Sequence, residues 1–314
     1  MPFFLTLFVI SFVLISWAGS SLVRSLAALS RLFGLSEYLI SFLFMSFVTS
    51  LPELFIGISS ALQHVPQISF GDTFGASIIK LSFIIGIVAL FTGKIAVESK
   101  ISKKNFFLIS LLAFMPFLLL SDGVLSRGDG ILLILLFVIY LTRLFREKEY
   151  FTKQTWNHNN TPGILKHIRA FFVGSAALIV GAYALILSSK FLAEFLEMSA
   201  VFFGLLIVAV GTTLPEIMFG FRAARLKHTS MMLGNALGSI AFNATVVIGI
   251  VALIEPITIS INGHLIVAAL FLFIVLVLFN IFAYTRAAIS RAEGLMLLCI
   301  YLAFILTELF IFSF

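Results

Sequence analysis

The sequence predicts an all-α membrane protein of ten transmembrane helices, arranged as two inverted five-helix repeats. Three observations support this prediction: an apolar composition, ten apolar stretches of membrane-spanning length, and a repeat at a fixed offset. Of the 314 residues, 61% are apolar and 11% are charged, and the mean hydropathy is +1.18. A soluble domain is about a quarter charged. The composition therefore excludes soluble, disordered and disulfide-rich proteins, and the single cysteine, Cys299, cannot form an internal bridge.

The predicted spans follow from the length of the apolar stretches. A helix needs about 20 mainly apolar residues to cross the hydrocarbon core, and helices satisfy their own backbone hydrogen bonds in lipid. The ten spans are 3–22, 36–62, 70–92, 105–121, 129–145, 168–189, 200–221, 232–254, 262–284 and 293–313. The expected environment is the lipid bilayer, and we expect no ATP-driven pumping because the sequence has no nucleotide-binding loop.

The basic residues predict the orientation of these spans. Of the 20 lysines and arginines, 17 fall in connections or at span ends on one side of the membrane, and only Arg127 and Lys190 fall on the other. The 17 are Arg24, Arg31, Lys94, Lys100, Lys103, Lys104, Arg143, Arg146, Lys148, Lys153, Lys166, Arg169, Arg222, Arg225, Lys227, Arg286 and Arg291. Cytoplasmic loops carry such an excess. We therefore expect both termini outside, the loop 146–167 in the cytoplasm, and the plasma (inner) membrane as the location.

An internal repeat divides the chain into two halves. Thr49-Ser50-Leu51-Pro52-Glu53 returns as Thr212-Thr213-Leu214-Pro215-Glu216, at an offset of 163 residues, and Ile85–Leu90 returns unchanged as Ile248–Leu253. We expect a first five-span repeat at 1–145, a linker at 146–167 and a second repeat at 168–314. Because five is odd, the second copy enters the membrane from the opposite side. Inverted repeats of this kind build alternating-access transporters with a binding site near the midplane.

The Thr-Ser/Thr-Leu-Pro-Glu segments lie near the middle of spans two and seven and offer oxygen ligands. Proline kinks a helix and frees carbonyl oxygens, here around Thr49 and Thr212. Glu53 and Glu216 each lie four residues further, on the same helical face. A carboxylate at mid-membrane is costly unless it faces a cavity or a partner. Two symmetry-related glutamates therefore predict a site for hard cations such as Ca²⁺ and Na⁺.

A second motif opens spans three and eight. In span eight, Gly234 and Gly238 leave room for a neighbouring helix, and Ser239 and Asn243 present a hydroxyl and an amide to one face. In span three the same places hold Ala76 instead of the hydroxyl and Lys80 instead of the amide. The second motif is therefore complete in the second half only.

These paired motifs resemble the alpha repeats of the cation/Ca²⁺ exchanger superfamily, typified by Na⁺/Ca²⁺ exchangers. The resemblance covers essentially the whole chain and both motif pairs. It implies that Glu53 and Glu216 are the main cation ligands. It also implies a set of ligands that completes the cluster: Thr49, Thr212, Thr213, Ser239 and Asn243, with Ser50 as an adjacent candidate. The implied activity is antiport at one site that holds either Ca²⁺ or several Na⁺.

The first half departs from the family pattern. Val48 replaces a glycine that Gly211 keeps, Asp72 replaces an asparagine, Ala76 replaces a serine, and Lys80 replaces a neutral or acidic ligand. Eight residues separate Asp72 from Lys80, which is about 12 Å along a helix. We therefore interpret Asp72 as the N-cap of the third span rather than as a direct partner of Lys80, and we expect both residues to modulate the site.

Lys80 leaves three interpretations open. Two glutamates and one lysine give the site a formal charge of −1, whereas a good Ca²⁺ site needs more negative charge. Lys80 is a tethered cation that takes the place of one Na⁺, or it gains and loses a proton that becomes a coupling ion. In the third interpretation Lys80 snorkels away and the site is unchanged.

We predict a secondary active cation antiporter that exchanges Ca²⁺ for Na⁺ and is neither an enzyme nor dependent on a cofactor. Two alternatives remain: a cation/H⁺ antiporter in which Lys80 and the glutamates titrate, and a non-transporting homologue. An intramembrane protease is disfavoured because the histidines and Asp72, Asp122 and Asp129 lie near the ends of spans. The expected partners are lipid and small cations, with no nucleic acid and no obligatory protein partner.

Overall fold

The computed structural model describes residues 1–30, 46–96, 103–146, 164–225, 229–261, 263–286 and 288–312, most of which are helical. Most of the predicted loop 146–167 and the first part of the second predicted span lie outside these residues. Seven helices in the described ranges are long and apolar enough to cross a membrane: Pro2–Ser21, Pro66–Thr92, Asn105–Asp122, Leu165–Phe195, Met232–Ile254, Gly263–Phe282 and Arg291–Ile311. The prediction of a helical, multi-pass membrane protein is therefore confirmed.

The first half contains mostly helices, two of them interrupted. Its elements are α1 (Pro2–Ser30), α2 (Ser46–Thr49), α3 (Leu51–Leu62), α4 (Pro66–Ile78), the π-helical segment π1 (Ile79–Ile84), α5 (Ile85–Thr92), β1 (Lys94–Ala96), α6 (Lys103–Leu119), a 3₁₀ turn (Leu120–Asp122), β2 (Val124–Leu125) and α7 (Arg127–Arg146). Ser50 separates α2 from α3, two residues before Pro52, where a kink was predicted.

The second half follows the same order. Its elements are α8 (Ile164–Phe195), α9 (Ala200–Phe203), π2 (Gly204–Val208), α10 (Ala209–Thr212), α11 (Leu214–Arg225), α12 (Thr229–Phe242), π3 (Asn243–Val247), α13 (Ile248–Ile254), β3 (Ile257–Thr258), α14 (Gly263–Arg286), β4 (Ala288–Ser290) and α15 (Arg291–Phe312). The offset of 163 residues carries α2 onto α10 and α3 onto α11 without any change of bounds. Both halves also have a π-helical segment in the middle of a long buried helix, at π1 and π3.

Two short antiparallel strand pairs join connections of the two halves. Strand β1 pairs with β4, and β2 pairs with β3. Helix α6 runs from the β1 pair toward the β2 pair, so the two pairs lie at opposite ends of the helices. The connections after spans three and nine, both predicted to be basic and cytoplasmic, therefore lie at the same end.

Glycines allow the two halves to pack closely. A Cβ at Gly86 would lie 2.7 Å from the carbonyl oxygen of Gly294, and one at Gly249 would lie 2.8 Å from that of Gly130. The first contact joins α5 to α15 and the second joins α13 to α7, so each half packs on the other in the same way. Large apolar side chains on the outside, such as Phe91 and Phe310, are exposed, as expected of groups that face lipid.

The start of the third span differs from the prediction. Helix α4 begins at Pro66 with Val65 as its N-cap, because proline is well suited to the first turn of a helix. Asp72 therefore lies in the second turn of α4 and is fully buried. The interpretation of Asp72 as an N-cap is wrong.

Candidate functional site

The central residues of the predicted site lie next to breaks or within π-helical segments of four helices. Glu53 follows the break at Ser50, and Glu216 follows the equivalent break at Thr213. Proline has no N–H, so Pro52 and Pro215 leave the carbonyl oxygens of Val48 and Gly211 without their usual helical donors. Lys80 and Asn243 lie in π1 and π3, and π-helical segments are frequent at functional sites.

Lys80 is at the centre of the site and contacts both glutamates. Its Nζ lies 3.2 Å from Glu53 Oε1 and 2.9 Å from Glu216 Oε1. The Glu53 contact is a hydrogen bond, whereas the Glu216 contact is an ion pair outside hydrogen-bond geometry. The side chains of Lys80, Glu53 and Glu216 are 1%, 0% and 3% exposed. The interpretation that Lys80 snorkels away from the site is therefore wrong.

The second motif of the second half completes this central cluster. Lys80 Nζ donates to Ser239 Oγ at 3.2 Å, and Asn243 Nδ2 donates to Glu53 Oε1 at 3.4 Å. The Oε2 atoms of Glu53 and Glu216 and the Oδ1 of Asn243 are buried and have no hydrogen-bond partner among the described residues. Three hard oxygen atoms in the cluster thus remain available to a bound cation.

Two symmetry-related contacts flank the cluster. Thr49 Oγ1 donates to Asn235 Oδ1 at 3.1 Å, and Thr212 Oγ1 donates to Asp72 Oδ1 at 2.8 Å. The offset of 163 residues relates Thr49 to Thr212 and Asp72 to Asn235. The two contacts are therefore one arrangement built twice. Asn235 was missing from the predicted site, although its place in the repeat opposite Asp72 could have identified it.

The other two predicted ligands, Thr213 and Ser50, make no hydrogen bond to the central cluster within the described residues. Thr213 Oγ1 donates to its own helix, at the carbonyl oxygen of Ala209, 2.7 Å away. Ser50 is fully buried, and its Oγ has no hydrogen-bond partner in the ranges the structure describes. These ranges contain no group of three or more His, Cys, Asp or Glu side chains arranged to hold a metal. The cluster combines two carboxylates, hydroxyls and an amide with the ammonium of Lys80.

A second polar contact with a buried carboxyl group lies away from the cluster. His264 Nδ1 lies 2.7 Å from Glu308 Oε2, and the Glu308 side chain is fully buried. The sequence places both residues near the ends of spans, 44 residues apart, and their contact was not predicted.

Comparison with known proteins finds relatives over nearly the whole chain. The family described as "Sodium/calcium exchanger protein" matches residues 3–146 and 166–310. The chain is 28% identical to the inner membrane protein YrbG of Escherichia coli, over 80% of this chain and 79% of YrbG. It is 26% identical to the sodium/calcium exchanger MaX1 of Methanosarcina acetivorans, over 92% of this chain and 93% of MaX1. A solved structure of the sodium-calcium exchanger NCX_Mj is similar, with a TM-score of 0.69, 27% identity, and coverage of 96% of this chain and 97% of that one.

Proposed function

Because the chain belongs to the sodium/calcium exchanger protein family, we propose that it is a secondary active antiporter that exchanges Ca²⁺ for Na⁺ by alternating access. The prediction of this family from the paired motifs is confirmed. One observation above all supports the proposed exchange. Glu53 and Glu216, at equivalent places in the two halves, meet around a single positive charge in a buried site.

The proposed ligands are the two glutamates together with Thr49, Ser50, Thr212, Thr213, Ser239 and Asn243. Ca²⁺ takes six to eight oxygen ligands at about 2.3–2.6 Å, and carboxylates are its strongest ligands. The ammonium of Lys80 lies between the two carboxylates, within about 3 Å of each. Ca²⁺ therefore binds between the glutamates when the Lys80 side chain moves aside. In this cycle Lys80 is the tethered cation, and it takes the place of one transported Na⁺.

Alternating access rests on the inverted relation of repeats 1–145 and 168–314, with ten spans in total. The reciprocal glycine contacts and the reciprocal strand pairs support this relation, because each half contacts the other through equivalent residues. Rocking of one half against the other would open the same site to either side. In the proposed orientation, the loop 146–167 lies in the cytoplasm and both termini lie outside. The proposed location is the plasma (inner) membrane.

The experiment is ⁴⁵Ca²⁺ uptake into proteoliposomes that contain the purified protein. An outward Na⁺ gradient and an outward H⁺ gradient are applied separately, with equal ion concentrations on both sides as the control. Uptake driven by the Na⁺ gradient alone is the expected result. Uptake driven only by the H⁺ gradient would instead establish cation/H⁺ antiport, and the absence of flux in every arm would establish a non-transporting homologue.

A further inference from the structure

Two charged residues of opposite sign distinguish the second motif of the first half from its copy in the second half. Asp72 and Lys80 occupy the places of Asn235 and Asn243 in the repeat. Both are buried, at 0% and 1% exposure. Their charges cancel, so Glu53, Glu216, Asp72 and Lys80 together carry a formal charge of −2, equal to that of two glutamates alone. The site thus keeps a capacity for two positive charges despite the lysine.

The surroundings of Asp72 leave one of its oxygen atoms free. Oδ1 accepts a hydrogen bond from Thr212 at 2.8 Å. Oδ2 is buried and has no hydrogen-bond partner, and the described residues form no ion pair with Asp72. A buried carboxylate is costly unless a positive charge or several donors compensate it. Lys80 makes no ion pair with it, because the Lys80 ammonium is bound to the two glutamates.

We propose that Asp72 is a cation ligand, and that Asp72 and Thr212 bind one Na⁺ at a position distinct from the Glu53–Glu216 pair. This inference rests on the proposed antiport function and specifies where a transported Na⁺ binds. One carboxylate balances a monovalent charge, whereas Ca²⁺ would retain an uncompensated positive charge there. The free Oδ2, the Thr212 hydroxyl and the Gly211 carbonyl, left without its usual helical donor by Pro215, are the hard oxygen atoms that Na⁺ prefers.

The equivalent position in the other half explains why only one such site is expected. Asn235 holds the place of Asp72 there, and its Oδ1 accepts from Thr49 at 3.1 Å. An amide has no charge to offer a monovalent ion. The Asp72→Asn variant therefore gives the first half the side chain that the second half already accommodates, and it changes the charge with almost no change of shape.

The test is Na⁺ binding to the purified full-length protein in detergent, measured by isothermal titration calorimetry and by Na⁺-dependent thermal stabilisation. We compare the parent protein with Asp72→Asn and with Asp122→Asn, which removes a carboxylate at an exposed position. We expect Asp72→Asn to weaken Na⁺ binding by at least about tenfold and to remove one Na⁺ from the bound number. Asp122→Asn should match the parent. Unchanged Na⁺ binding by Asp72→Asn would overturn the inference, and so would replacement of the Na⁺ response by a proton response alone.

A second pair of variants covers the case in which Asp72→Asn fails to fold. Thr212→Val removes the hydroxyl and should weaken Na⁺ binding, whereas Thr212→Ser keeps the hydroxyl and should retain it. Equal Na⁺ binding by these two variants would also overturn the inference. Calorimetry measures Na⁺ binding without transport. The Na⁺ site at Asp72 and the antiport function can therefore be refuted independently of each other. Asp72-dependent Na⁺ binding without Ca²⁺ flux would contradict the antiport function alone, and Na⁺-driven Ca²⁺ flux with Asp72-independent Na⁺ binding would contradict this inference alone.

Discussion

Replacing Lys80 with asparagine removes the positive charge between the two glutamates. The new side chain is the one that the second half carries at Asn243, so the substitution suits the local π-helical backbone. The parent ammonium lies 3.2 Å and 2.9 Å from the carboxylate oxygens of Glu53 and Glu216. Any cation that binds both glutamates must first displace it.

The size of the expected change in Ca²⁺ affinity follows from the repulsion between the Lys80 ammonium and the bound ion. If Lys80 moves aside and remains about 4–6 Å from the bound ion, one like charge at an effective dielectric constant near 20 costs about 3–4 kcal/mol per unit of ion charge. Rearrangement of nearby polar groups reduces this cost. We therefore expect Lys80→Asn to raise the Ca²⁺ affinity by at least about tenfold. The Na⁺ dependence should also steepen, because one more Na⁺ can occupy the vacated position.

The assay is ⁴⁵Ca²⁺ uptake into vesicles, driven by a Na⁺ gradient or by a pH gradient, for the parent and the variant. Lys190→Asn is the matched control, because Lys190 is exposed and lies outside the site. If Lys80→Asn has the Ca²⁺ affinity, the Na⁺ dependence and the pH profile of the parent, Lys80 does not compete with the transported ions. That result would refute the tethered cation.

Three further results are expected. Glu216→Gln should abolish Ca²⁺-dependent transport while the protein still folds, and Glu194→Gln, at an exposed position, should transport normally; flux retained by Glu216→Gln would place the ligands elsewhere. Reporter fusions should place the loop 146–167 in the cytoplasm and both termini outside, and an external signal from that loop would contradict the orientation. His264→Ala leaves buried Glu308 without its partner at 2.7 Å, so it should lower the stability by about 1–3 kcal/mol in thermal unfolding, and an unchanged melting temperature would show that the contact contributes nothing.

The helical, multi-pass character of the chain and the repeat in its sequence could be predicted, because the first depends on local composition and the second on a fixed spacing of proline, glutamate and glycine that composition alone does not produce. A fixed offset across Pro52 and Pro215 and across the motif glycines indicated two related halves. The structure repeats that offset in the bounds of α2 and α10 and of α3 and α11. The breaks at Ser50 and Thr213 were also predictable, because the effect of proline on a helix is local.

The contacts of Lys80 and Asp72 could not be predicted, because they depend on packing between segments distant in sequence. Lys80 contacts Ser239, 159 residues away, and Asp72 contacts Thr212, 140 residues away. Spacing along α4 and π1 argued against a direct Asp72–Lys80 pair, and the described residues form none, but the spacing gave no information on which residue of the other half faces each of them. The error about Asp72 came from the boundary of the helix, which begins at Pro66 rather than near residue 70.

Lys80 also changes the net charge of the site when no transported ion is bound. Two buried carboxylates without a counter-charge are costly, and each cost grows because the other negative charge is near. With the ammonium within about 3 Å of both, the pair carries one net negative charge before any cargo arrives. In the proposed cycle a transported ion therefore exchanges with an existing ion pair instead of filling a bare anionic cavity. The ammonium penalises a divalent ion about twice as strongly as a monovalent one, because the repulsion is proportional to the charge of the ion. For this reason we expect the Lys80→Asn substitution to change ion affinity and selectivity.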